Sequence, residues 1–149
     1  MERVLLAIGP EEDERRLERL ASTTADVVQG SGATVELLHV FTEDEFDRMA
    51  AQLDYSFESD ATPDEVASRL SSVKQIGDRL AAAGVEYAVS GEVGEYGPLI
   101  VEAAEGYDAD LVVVGGEKQS PAGKAMFGST AQYVLLNAHC PVVFVKKAD

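Results

Sequence analysis

The sequence contains few of the residues that form cross-links, metal sites or membrane spans. Its 149 residues include one cysteine, Cys140, no tryptophan, two histidines and five lysines. A single cysteine excludes an internal disulfide and a multi-cysteine metal site, and the two histidines lack ligand spacing, so we expect no zinc or other metal held by the side chains themselves. No apolar run approaches the ~20 residues of a membrane helix. Because Met1 to Arg3 lead straight into an apolar run, we expect no secretory leader and a soluble, cytoplasmic protein.

Basic residues are also scarce, at 12 Lys plus Arg against 27 Asp plus Glu, for a net charge of −15. Such a charge repels nucleic-acid backbones and anionic membranes, so neither is an expected partner. The acids are spread along the chain instead of forming one tail. Molar salt shortens the Debye length to ~3 Å and relieves the resulting self-repulsion. The composition therefore indicates a halophilic setting, with an ordinary acidic mesophilic protein as the alternative.

Short apolar runs alternate with segments of helical periodicity. Strands are predicted at residues 3–8, 34–40, 85–90, 110–114 and 141–145, and helices at 11–30, 62–84, 98–105 and 129–137. Residues 41–61 are weakly periodic and are predicted to hold a short helix. This alternation is typical of an α/β fold, a Rossmann-like three-layer sandwich with a five-stranded parallel sheet, here as a single domain over 1–149. Ligands of such folds bind at the carboxyl ends of the strands, where the strand order reverses.

The segment after the fourth predicted strand has the parts of a phosphate site. Gly115 begins a glycine-containing loop, and Gly128, Ser129 and Thr130 open the next helix. Glycines permit close backbone approach, and the free amides of a helix start can hold an anion. The segment is not a P-loop, because it lacks the G-x-x-x-x-G-K-[ST] pattern. The alternative is that the glycines only form turns and Ser129 only caps a helix.

Charge distribution favours an anion near this loop. Residues 111–149 carry a net charge of +2, whereas residues 1–110 carry −17. Lys118 and Lys124 lie in the loop and are candidate partners for phosphate oxygens. Their alternative role is that of solvated loop lysines.

Four motifs spread along the chain carry a family resemblance. They are Val4-Leu5-Leu6-Ala7-Ile8, Leu37-Leu38-His39-Val40, Ala109-Asp110-Leu111-Val112-Val113-Val114-Gly115, and Gly128-Ser129-Thr130 followed by His139-Cys140-Pro141-Val142-Val143. Together they resemble the universal stress protein family over essentially the full length. Its nucleotide-binding members carry G-x-x-G, nine residues, then G-[ST]. Gly115, Gly128 and Ser129 fall at that spacing.

The resemblance implies a site for ATP or a related adenine nucleotide, with magnesium. Its nucleoside end would comprise Gly9, Pro10 and Val40, and its phosphate end Gly115, Gly128, Ser129 and Thr130. Two positions depart from the family pattern. Gly9 replaces an aspartate at the end of the first strand, and Lys118 replaces the second glycine of the motif, where it either obstructs phosphates or adds charge.

The resemblance also implies a stress-response module that forms a homodimer through its last strand, Val142, Val143, Phe144 and Val145, and acts on a regulatory protein partner. The valine run equally permits an interior strand. The main alternative function is a dimeric interaction protein that has lost the nucleotide through Gly9 and Lys118. A slow ATPase is less favoured, because Glu117 is the only acid near the loop and no catalytic constellation is visible. Enzymatic activity is left open.

Three other features have conservative interpretations. His39 is predicted to be a hydrogen-bonded residue at the edge of the core, and Cys140 a packing residue in preference to a reactive thiol. The acidic run Glu43-Asp44-Glu45 is predicted to be a solvated face, with a loosely held cation as the minor alternative.

Overall fold

The computed structural model of the protein describes residues 1–9, 14–53, 61–115 and 129–145. Five strands alternate with six helices over these ranges. In chain order they are β1 (Arg3–Ile8), α1 (Glu14–Val28), β2 (Thr34–Phe41), α2 (Glu43–Gln52), α3 (Pro63–Arg69), α4 (Ser71–Ala82), β3 (Tyr87–Val93), α5 (Tyr96–Tyr107), β4 (Leu111–Gly115), α6 (Ser129–Asn137) and β5 (Val142–Val145). In this part of the chain, no helix has both the length and the apolar character needed to cross a membrane.

The strands form one parallel sheet in the order β3-β2-β1-β4-β5. Its central strand, β1, is buried from Val4 to Ile8, as a continuous apolar run predicts for a strand covered on both faces. One core cluster joins the sheet to α1 and α4, and a second joins its other face to α5 and α6. The predicted five-stranded parallel sheet with helices on both faces is confirmed.

The predicted helix over 62–84 is two helices. Thr62 caps the first as expected, since its side-chain oxygen accepts a hydrogen bond from the Glu65 amide at 3.2 Å. Leu70 then breaks the helix with an extended backbone, at φ −73° and ψ 140°. The break lets α3 pack on β3 while α4 packs on α1, and the half-buried Leu70 contacts the clusters under both helices. Periodicity alone does not reveal a break that tertiary packing stabilises.

The third strand was predicted at 85–90, and it lies at Tyr87–Val93. Its pairing with β2 continues to the partners Phe41 and Val93, so Gly91 belongs to the strand and not to a turn. A Cβ at Gly91 would overlap the carbonyl of Pro63. The glycine is therefore required by the close approach of α3, which is a tertiary contact.

Candidate functional site

The strand order reverses at β1. The chain passes from β1 to β2 on one side of it, and later places β4 on the other side. In parallel α/β sheets, the crevice for ligands opens between the carboxyl ends of the two strands that flank such a point. Here β1 is followed by Gly9 and β4 ends at Gly115. The structure therefore brings together two glycines that are far apart in the sequence, one from each predicted end of the site.

An aromatic ring lies beside Gly9. A Cβ at Gly9 would lie 3.4 Å from both Cζ and Oη of Tyr96, the first residue of α5. The Tyr96 hydroxyl donates to the carboxylate of Glu45, at 3.0 Å from Oε1 and 3.1 Å from Oε2. Tyr96 thus forms a wall of the site at its Gly9 end. No sequence motif indicates this role for Tyr96, because β3 and α5 carry none that points to Gly9.

Glu45 also organises the start of α2. Its Oε1 accepts the Thr42 amide at 3.2 Å, while the Thr42 hydroxyl oxygen accepts the Glu45 amide at 3.2 Å. This reciprocal pair is a capping box. Glu43 and Asp44 are exposed, as predicted, but Glu45 is half-buried. The solvated-face prediction is therefore wrong for Glu45, because a carboxylate at the third helical position reaches back to the cap and across to Tyr96.

The Gly115 end contains a cation that no sequence motif indicates. Arg16, in the first turn of α1, packs its guanidinium against Gly115. A Cβ at Gly115 would lie 2.8 Å from Nη2 and 3.1 Å from Nε of Arg16. A side chain at Gly115 would therefore displace the guanidinium from this position. The only signal in the sequence is an arginine near the start of the helix predicted after the first strand.

Of the other predicted site residues, three lie in the described part of the chain and five lie outside it. Val40 lies near the end of β2, but its side chain is buried in the cluster under α5. Ser129 begins α6, and Thr130 is half-buried in its first turn. The residues outside the described ranges are Pro10, Glu117, Lys118, Lys124 and Gly128.

His39 lies on the face of β2 that points away from Val40. Its backbone is in register with Ile8 and Gly91, and its ring centroid is 4.4 Å from that of Phe41. The side chain is fully buried, and neither ring nitrogen has a hydrogen-bond partner in the part of the chain that the structure describes. Burial lowers the pKa of His39 from 6.5 to about 4, against a smaller opposing effect of the Glu45 charge. The predicted hydrogen-bonded edge position is therefore wrong.

Cys140 packs against the same cluster as Val40 and is half-buried. Burial raises the pKa of its thiol, and the negative charge of Asp110 raises it further. Both effects suppress the thiolate, which is the reactive form. The geometry agrees with a packing role.

The last strand lies at an edge of the sheet. β5 pairs with β4 on one side only, and its residues Val142, Val143 and Phe144 are half-buried. Val145 is buried against α1 and the sheet. The interior-strand alternative for this segment is therefore excluded within the described sheet.

Comparison with known proteins gives a consistent result. The chain matches the universal stress protein family over residues 1–146. It is 29% identical over 127 residues to a universal stress protein of Methanocaldococcus jannaschii, covering 85% of this chain and 73% of that relative. It is 33% identical over 88 residues to a universal stress protein of Mycolicibacterium smegmatis, covering 58% of this chain and 68% of that relative.

Solved structures of universal stress proteins share the fold. One from Archaeoglobus fulgidus superposes with a TM-score of 0.68 at 24% identity, covering 98% of this chain and 99% of that one. An A. fulgidus complex with dAMP gives 0.67 at 19% identity, covering 98% of each chain. An Arabidopsis thaliana family member with AMP bound gives 0.66 at 16% identity, covering 99% of this chain and 93% of that one. The motifs, the sheet order and the match over residues 1–146 lead to one conclusion: the chain belongs to the universal stress protein family.

Proposed function

We propose that this chain is a nucleotide-binding stress-response module, and that an adenine nucleotide occupies the crevice between the ends of β1 and β4. The observation that carries the proposal is the presence of Gly9 just after β1 and of Gly115 at the end of β4, the two strands that flank the reversal of strand order. Glycines at such ends allow a ligand to approach the backbone closely. The dAMP and AMP complexes of solved family members support the choice of ligand.

The proposed nucleotide lies with its nucleoside toward Gly9, Pro10 and the end of β2, and with its phosphates toward Gly115 and the start of α6. The first amides of a helix have no partner within the helix and favour negative charge. Thr130, in that first turn, adds a hydroxyl donor. Magnesium would offset the charge of the phosphates, which a chain of net charge −15 otherwise repels.

Calorimetric titration of ATP with magnesium tests the proposal, in molar KCl because of the net charge. We expect saturable heat near one site per chain. Thr130→Val removes the hydroxyl at nearly constant shape and should weaken binding about fivefold. Thr23→Val, at a half-buried position of α1 on a different part of the fold, is the matched control. Absence of binding by folded wild-type protein would refute the proposal.

A second function, nucleotide-independent interaction with a regulatory protein, is favoured by one observation. The Tyr96 ring lies against Gly9 and is held there by Glu45, so an aromatic side chain of the protein stands where the nucleoside would enter. Under this alternative, ATP and magnesium give flat heats, and Tyr96→Ala leaves them flat. Binding that appears only after the Tyr96 ring is removed would instead identify the ring as an obstacle to the nucleotide.

We further propose a cytoplasmic homodimer, formed by a single domain over residues 1–149 through Val142 to Val145. An edge strand with half-buried apolar side chains is a ready template for pairing with another chain. Val143→Asp should dissociate the dimer in sedimentation velocity. Ala88→Asp, which places the same charge on an exposed residue of the opposite edge strand, is the control. A folded Val143→Asp protein with unchanged mass would exclude this interface.

A further inference from the structure

The hydroxyl edge of the Tyr96 ring lies at the end of the crevice that the proposed function assigns to the nucleoside. Its Cζ and Oη are 3.4 Å from the position of a Cβ at Gly9, and its Cε2 is 3.6 Å from that position. A methyl group therefore fits between Gly9 and the ring. A larger ligand group placed on this side of the glycine requires the ring to move.

The carboxylate of Glu45 holds the ring in this position. The Tyr96 hydroxyl lies 3.0 Å from Oε1 and 3.1 Å from Oε2, so its one proton is donated to a charged acceptor. The carboxylate is itself fixed, because its Oε1 also accepts the Thr42 amide and the Thr42 hydroxyl oxygen accepts the Glu45 amide. The ring is thus bonded to an acceptor that the capping box of α2 has already positioned.

The ring can leave Gly9 by a side-chain movement. Tyr96 is the first residue of α5, and rotation about its Cα–Cβ bond moves the ring while the helix backbone stays in place. The rotation breaks the bond to Glu45 and part of the packing against the cluster under α5. This cost favours the closed position, and it lowers the apparent affinity of any ligand that needs the open one.

We propose that Tyr96 and Glu45 form a gate at the nucleoside end of the crevice, closed by their hydrogen bond in the free protein and opened when a nucleotide binds. This inference rests on the proposed function and adds a regulation of the same site, because the nucleotide competes with the bond between hydroxyl and carboxylate. Neither residue belongs to the four motifs that carry the family resemblance. The gate also couples the crevice to α2, since opening removes the hydroxyl from the carboxylate at the start of that helix.

Titrations of ATP with magnesium into wild-type, Tyr96→Phe, Tyr96→Ala and Tyr87→Phe proteins test the gate. Tyr96→Phe keeps the ring and removes the hydroxyl, so it should tighten binding about fivefold. Tyr96→Ala removes the ring as well and should tighten binding at least as much. Tyr87→Phe removes a hydroxyl at the first residue of β3, at the opposite end of the sheet, and should leave the affinity unchanged. Circular dichroism and thermal unfolding establish that each variant is folded.

Glu45→Gln separates the charge of the acceptor from its position. Glutamine at the third helical position still completes a capping box, and its amide oxygen still accepts the hydroxyl. It lacks the charge that strengthens the bond, so we expect tighter ATP binding, by a smaller factor than for Tyr96→Phe. Asp44→Asn removes the same charge from the exposed neighbouring residue and should bind ATP like the wild type.

The outcomes separate the gate from the nucleotide function. If the wild type binds ATP and Tyr96→Phe binds it no more tightly, or Tyr87→Phe gains equally, the gate is overturned and the nucleotide function stands. Weaker binding by Tyr96→Ala makes the ring part of the binding surface and likewise overturns the gate. If only the Tyr96 variants bind ATP, the gate is supported as a permanent closure and the nucleotide function of the wild type fails.

Two remaining results also decide. If neither the wild type nor any variant binds ATP, both proposals fail. Should Tyr96→Phe not fold, the comparison of Glu45→Gln with Asp44→Asn replaces it: tighter binding by Glu45→Gln alone supports the gate, and equal binding by the two overturns it.

Discussion

Replacing His39 should remove a large part of the pH dependence of stability near neutrality. The native side chain is fully buried with neither nitrogen hydrogen-bonded among the described residues, so the folded state favours the neutral ring. His39→Leu substitutes an apolar side chain of similar size. We expect it to unfold at no lower denaturant concentration than the wild type at pH 7, because no hydrogen bond to a described residue is lost and two buried ring nitrogens are removed.

The magnitude follows from the pKa, which burial lowers from 6.5 to about 4. Because the lowered pKa belongs to the folded state, the unfolded chain binds the proton first as the pH falls. The free energy of unfolding is therefore highest above pH 6.5 and decreases as the pH falls from about 6.5 toward 4. The full loss is about 3 kcal/mol, of which about 2 kcal/mol falls between pH 7 and pH 5.

Urea unfolding at half-unit pH intervals from 7 to 5 measures this loss. Molar KCl screens the exposed carboxylates, so that their mutual repulsion changes little across the series. The wild type should lose about 2 kcal/mol, His39→Leu should lose little, and His139→Gln, at an exposed histidine, should follow the wild type. If His39→Leu shows the wild-type slope, the buried neutral imidazole is not the source of the pH dependence.

Three shorter tests concern packing and reactivity. Gly91→Ala forces a methyl group into the Pro63 carbonyl and should lower the free energy of unfolding by roughly 2 kcal/mol; Gly106→Ala, on α5 with open space around it, should raise it by about 0.5–1 kcal/mol. If urea unfolding shows the same change in free energy for both substitutions, the steric overlap at Gly91 is refuted. Tyr96→Phe removes the hydrogen bond from the hydroxyl to the carboxylate of Glu45 and should lower the free energy of unfolding by about 1 kcal/mol. An unchanged free energy of unfolding would show that this bond does not stabilise the fold. Cys140 should react with iodoacetamide more slowly than free cysteine at pH 8, since burial raises the pKa of its thiol; faster reaction would contradict its packing role.

Much of the fold could be predicted from the sequence, because the relevant signals are local. Continuous apolar runs mark strands covered on both faces, and three- and four-residue spacing marks the helices between them. The strand predictions at 3–8 and 34–40 fall within one residue of β1 and β2. Even the cap at Thr62 depends only on residues three positions apart. Patterns of this kind can be recognised without knowing which distant residues are in contact.

The boundaries that were wrong depend on distant contacts. The break at Leu70 exists because α3 and α4 pack on different partners, and β3 extends through Gly91 because β2 provides a pairing partner. The local sequence favours one unbroken helix over 62–84 and a strand that ends at residue 90. Tertiary packing outweighs it, since each local preference amounts to less than about 1 kcal/mol per residue.

The sequence alone determined the family, the alternation of strands and helices, and the edge of the sheet at which a ligand is expected. Only the tertiary structure placed Arg16 against Gly115, Tyr96 against Gly9, and His39 in the core with no hydrogen-bond partner among the described residues. The physical reason is the range of the interactions. Periodicity and motifs depend on residues that are close together along the chain. These three placements arise only after strands far apart in sequence have paired.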